Sequence, residues 1–192
     1  EPYEAMIVAQ FRAILDRSEA GPLYPWIDTR LDLNTGADLP PSEPRFGPGL
    51  VSGWVQGRGL EGLATFGAWL GAWAGSPEVD ALLGRVRRLT AALLAQFRAA
   101  RAQYGGHLYF TMLPDGMPIT VDERHRQLRV AMGPDAPHNY SDLFAAKGML
   151  AAAYFLRNDV ALDEARAYCR AVYDDIVNLR FRTDQPQPSG LA

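Results

Sequence analysis

The sequence is poor in the side chains on which most covalent and metal chemistry depends. Its 192 residues include one cysteine, Cys169, one lysine, Lys147, and three histidines, His107, His125 and His138. A single cysteine excludes an intrachain disulfide framework and suits a reducing compartment. A single lysine leaves arginine as nearly all of the positive charge, a fixed, forked cation suited to binding rather than to Schiff-base work. The histidines stand 18 and 13 residues apart, without zinc-site spacing, and neither a metal nor a cofactor is expected. A net charge of −3 and the lack of any block of like charge argue against a nucleic-acid partner. There is no uninterrupted apolar run of ~18 residues, so no membrane association is expected, and with no signal-peptide pattern after Glu1 a cytoplasmic protein is expected.

What is present is helical periodicity. At this length with 48% hydrophobic residues the chain can bury a core without staples, and one domain is the default. Residues 3–18 form an amphipathic pattern on Ile7, Phe11, Ile14 and Leu15. Residues 22–49 read as a proline-rich loop with a brief extended piece. A second helix over about 50–74 is rich in glycine and tryptophan, with Val51, Val55, Gly62, Phe66, Leu70 and Trp73 expected as its buried stripe. Ser76 and Pro77 cap a long third helix that ends before Gly105 and Gly106. Pro114-Asp115-Gly116 between two β-prone runs predicts a small hairpin. A fourth helix of small residues is expected over about 141–156. A fifth is expected over about 160–181, behind Asp159 as N-cap and with Leu162, Ala165, Cys169, Val172, Ile176 and Leu179 as its core series. The arginines at 85, 87, 88, 98 and 101 read as a solvated helix face, and residues 183–192 as a linker. The expected class is mostly all-α, with the second and fourth helices inside a wrapping of the others, as in a barrel or solenoid of helical hairpins.

The glycine helix carries the candidate site. Arg58 lies one turn beyond Trp54, and steps of three and four then reach Glu61 and Thr65. An aromatic platform, a guanidinium and a carboxylate on one stripe suit a polyhydroxylated ligand, while an Arg58–Glu61 structural pair accounts for the same residues. Asn139-Tyr140-Ser141 matches a glycosylation sequon, with helix capping as the expected role.

Trp54-Val55-Gln56-Gly57-Arg58, the run from His107 to Pro118, and Tyr140-Ser141-Asp142-Leu143-Phe144 resemble, in order and spacing, the N-terminal half of the N-acylglucosamine 2-epimerase family. The resemblance covers residues 3–182 and implies an α/α toroid, here part of an (α/α)6 barrel, that binds a reducing sugar or N-acyl amino sugar. It implies that Arg58 reaches the sugar ring oxygens with Trp54 as its aromatic neighbour. It also sets Asp142 in the cleft, although a helix-start carboxylate explains that position without a ligand. Tyr104 and Tyr109 either border the cavity or pack the hairpin. Two histidines on later inner helices transfer the proton in this family, and their counterparts are expected beyond Ala192. The expected protein is therefore a sugar epimerase or aldose–ketose isomerase, represented by residues 1–182 as its N-terminal half, which associates with a C-terminal half or forms a homodimer. Two alternatives use the same residues: a glycoside hydrolase with Glu61 and Asp142 as its carboxylate pair, and a non-catalytic sugar-binding scaffold.

Overall fold

The computed structural model describes residues 2–32, 35, 37–40, 49–121, 127–129 and 135–182. His125, the linker at 183–192 and part of the proline-rich loop lie outside the described residues. The chain is mostly helical: α1 (Pro2–Ala20), α2 (Gly53–Gly71), α3 (Pro77–Gln103), α4 (Tyr140–Leu156) and α5 (Asp159–Val177). Among the described residues there are also four short strands: β1 (Val51–Ser52), β2 (Thr111–Met112), β3 (Ile119–Val121) and β4 (Gln127–Arg129). Among the described residues no helix is long and apolar enough to cross a membrane.

The helices α2 and α4 pack closely against each other, α3 touches both, α1 lies on α3, and α5 lies on α4. Glycine makes the α2–α4 approach close. A Cβ on Gly57 would fall 2.6 Å from the Phe144 backbone carbon, and one on Gly148 would fall 2.4 Å from the Gly57 carbonyl oxygen. This relocates the buried face of α2. Val55 is 38% exposed and Trp73 57%, whereas Gln56, Gly57, Leu60, Leu63, Ala64 and Gly67 join Phe66 and Leu70 inside. Apolar periodicity misplaced the stripe because it gives no weight to a glycine that is buried by backbone contact.

The buried polar residue of α2, Gln56, ties the α1–α2 connection down. Its amide accepts from Ile27 N and donates to Ile27 O, both at 2.8 Å. Nearby, the Trp26 indole donates to the Pro114 carbonyl at 2.8 Å, which pins the same segment to the turn at residues 113–117.

The structure differs from the expected hairpin. The Pro114-Asp115-Gly116 turn forms, with Gly116 N donating to Leu113 O and Leu113 N to Met117 O. However, β2 pairs with β1, and β3 pairs with β4. Among the described residues a single bridge, Met112 to Pro118, links the two sides of the turn. Proline has no N–H to contribute to a ladder, so pairing stops there and each run finds another partner.

The core series of α5 is displaced by about one residue. Ala161, Ala165, Tyr168, Val172 and Asp175 are buried, while Leu179 is 93% exposed. The helix ends at Val177, short of the expected Phe181, because Leu179 turns left-handed at φ 57°. Asn158, rather than Asp159, is the N-cap, accepting from Ala161 N at 3.0 Å. Several arginines of α3 tie helices together, while Arg87 and Arg88 keep the exposed character of a solvated face. Arg85 pairs with Asp16 and Glu19 of α1, Arg98 pairs with Glu164 of α5, and Arg87 lies over the Phe155 ring.

Candidate functional site

Two arrangements of polar residues stand out, both near the start of α4. The first is the exposed face shared by α2 and α4. The Trp54 ring meets Phe110, Tyr140 and Phe144 at centroid distances of 5.4, 5.5 and 5.6 Å. Phe181 extends this aromatic group through an edge contact with Tyr140 at 5.1 Å. One turn along α2, exposed Arg58 places its guanidinium 5.7 Å from the Phe144 ring. Glu61 bridges to Lys147 of α4 at 3.3 Å. The carboxylate that sequence spacing offers to Arg58 is thus engaged elsewhere, and among the described residues no carboxylate forms an ion pair with Arg58. Trp54, Arg58 and Glu61 are therefore brought onto one surface.

Asp142 is elsewhere. Its side chain is 0% exposed, and it sits at the start of α4 in a reciprocal capping box with Asn139. Asn139 Oδ1 accepts from Asp142 N at 3.0 Å, and Asp142 Oδ2 accepts from Asn139 N at 3.0 Å. The same carboxylate accepts from Leu108 N at 2.8 Å, from His107 Nδ1 at 2.9 Å and from the Tyr168 hydroxyl. Four donors satisfy a charge that burial would otherwise make costly. This is the helix-start carboxylate, held between the segment before α4 and the face of α5.

Around Asp142 lies the second arrangement, which spacing gave no reason to expect. The rings of His107 and His138 are 5.0 Å apart at an interplanar angle of 53°. His138 has its own carboxylate: Asp175 Oδ2 accepts from His138 Nδ1 at 2.7 Å and from His138 N at 2.8 Å, and Arg180 pairs with Oδ1 at 2.5 Å. Burial acts to raise the Asp175 pKa, but the hydrogen bonds from His138 and the charges of His138 and Arg180 outweigh it and hold it below the usual value. Arg182 N donates to His138 O, closing the chain after α5 onto the start of α4.

Two tyrosines border this network. Burial, then the Asp142 charge, raises Tyr168 well above the ordinary phenol range, while Arg101, stacked 3.3 Å from its ring centroid, works the other way. Burial and the same aspartate push Tyr109 up to about 12. The Tyr109 hydroxyl donates to Tyr104 O at 3.0 Å, so it packs within the segment after α3. Cys169 is half-buried with its thiol pKa raised by burial, the character of an unreactive packing residue.

Sequence reasoning missed His107, His138, Tyr168 and Asp175 as a group because they come from three separated segments. One signal was available. Tyr168 and Asp175, seven residues apart on α5, are polar positions on the face that also buries Ala161, Ala165 and Val172.

No family model, curated protein or solved structure matches this chain.

Proposed function

We propose that this chain is the sugar-binding half of an N-acylglucosamine 2-epimerase-like enzyme, a sugar 2-epimerase or aldose–ketose isomerase built as an (α/α)6 barrel. The observation that carries the reading is Arg58. It is exposed beside Trp54 and Phe144, while Glu61 is drawn to Lys147. A planar guanidinium with five donors matches the ring and hydroxyl oxygens of a pyranose, and the aromatic group offers an apolar surface to its C–H face. Two helices of small residues packed together, with amphipathic helices around them, also suit inner and outer layers of such a barrel.

The reaction removes a proton next to the sugar carbonyl and returns it, which requires bases with pKa values near neutrality. The resemblance sets those histidines on later inner helices, so this half binds and orients the sugar while the other half moves the proton. The hydrolase alternative draws no support from its two carboxylates, since every oxygen of Asp142 already accepts from the protein.

The test is a titration of this chain with N-acetylglucosamine, N-acetylmannosamine, mannose and cellobiose, followed by NMR of indole and guanidinium N–H groups. The Trp54 indole and Arg58 Nε–H signals shift together with at least one sugar, and R58A abolishes the response while remaining folded. Silence of both signals with every sugar removes the binding role.

A further inference from the structure

His107 and His138 form a pair of carboxylate-oriented imidazoles. Asp142 and Asp175 are hydrogen-bond acceptors for the two Nδ1 atoms, at 2.9 and 2.7 Å. An ionised carboxylate only accepts, so each ring carries its proton on Nδ1 and, when neutral, leaves the lone pair on Nε2. Among the described residues neither Nε2 has a hydrogen-bond partner in the protein. A carboxylate behind the far nitrogen fixes ring orientation and increases basicity, as is usual for histidines that ligate metals.

Ring placement agrees with a shared ion. Two imidazoles bound through nitrogen to one tetrahedral centre, with metal–nitrogen distances of about 2.0–2.1 Å, have centroids roughly 5 Å apart. Here the separation is 5.0 Å. His138 also lines a cleft of about 730 Å³ together with Asp174, Asp175 and Arg180, which gives water and ions a route to its ring, while His107 lies buried behind it. Of the nearby positive charges, Arg180 is paired with Asp175 and Arg101 lies on the Tyr168 ring, while Arg182 also lines the cleft. No group of three or more histidine, cysteine or acidic ligands occurs among the described residues. The site therefore offers two protein ligands and leaves the other positions to water.

We propose that Nε2 of His107 and Nε2 of His138 together bind one divalent transition-metal ion of the imidazole-preferring class, copper, nickel or zinc. Hard cations such as magnesium, which favour oxygen ligands, do not compete for it. This inference does not rest on the sugar-binding role, since it uses none of Trp54, Arg58 or Glu61.

The experiment is calorimetric titration of the untagged chain with nickel, zinc and magnesium chlorides. The expected result is one nickel or zinc ion per chain and no magnesium. H138Q weakens binding at least tenfold, whereas H125Q leaves it unchanged. Equal affinity in wild type and H138Q overturns the proposal, as does loss of binding in H125Q. Because His107 is buried and its replacement endangers folding, the second measurement uses wild-type protein. Long-range ¹H–¹⁵N spectra of the metal-free chain show both rings as Nδ1–H tautomers, and zinc shifts both Nε2 signals. An Nε2–H tautomer on either ring, or Nε2 signals indifferent to zinc, contradicts it.

Discussion

Gly57 of α2 and Gly148 of α4 meet backbone to backbone, so closely that a Cβ on Gly148 would lie 2.4 Å from the Gly57 carbonyl oxygen. An added methyl here meets main chain, which cannot rotate away. G148A therefore gains up to ~1 kcal/mol of helix propensity but loses more to overpacking, typically about 1–3 kcal/mol and occasionally above that. Gly62, on the same helix with nothing within 4 Å of its built Cβ, gives the opposite sign. Urea unfolding is expected to show G148A destabilised and G62A stabilised by up to ~1 kcal/mol. If both substitutions stabilise, the close crossing is wrong.

Asp142 accepts from four protein donors while fully buried. D142N replaces one accepting oxygen with a donor facing other donors, which leaves buried groups unpaired at about 1–3 kcal/mol each. Chemical denaturation is expected to show a loss of at least ~2 kcal/mol on that basis. A carboxylate whose role was to contact a ligand would be replaced at little cost in stability, so a near-neutral D142N contradicts the structural role.

Asp175 supplies a pH-dependent contribution of known sign. Its folded-state pKa is lowered, so its stabilisation is fully present above the unfolded value near 3.9 and is lost as the pH falls through the lower folded value. D175N should therefore fall furthest below wild type at neutral pH, with the gap closing below about pH 4. Asp28, also lowered by its contacts with Arg30 and Arg17, titrates in the same direction in both proteins and cancels in the comparison. A gap that is constant from neutral pH to pH 3 would show that Asp175 is not ionised in the folded state.

Helix existence was legible in the sequence because caps and breaks are local. Ser76 does accept from Val79 N at the start of α3, and the glycines at 105 and 106 follow its end at positive φ. Faces were less legible. Gly57 and Gly67 are buried by what approaches them, information that resides in α4 rather than in α2. The α5 face was misjudged for a related reason: Tyr168 and Asp175 turn inward because Asp142 and His138 wait there. Of the candidate site, the side-by-side placement of Trp54, Arg58 and Glu61 was readable from helical spacing. The diversion of Glu61 to Lys147, which leaves Arg58 without a carboxylate partner among the described residues, was not, because it depends on how α4 crosses α2.

The central claim concerns Arg58 acting on a reducing sugar, and the natural protein that carries this sequence tests it most directly. In deuterated buffer, wild type is expected to introduce solvent deuterium at C2 of at least one sugar among N-acylglucosamine, mannose, glucose and cellobiose. R58A should fold with stability within about 0.5 kcal/mol of wild type, as for an exposed residue with no ion pair among the described residues. It should exchange at least tenfold more slowly, the loss of about 1.4 kcal/mol of transition-state stabilisation. Absence of exchange with every sugar, or exchange in R58A as fast as in wild type, contradicts the account.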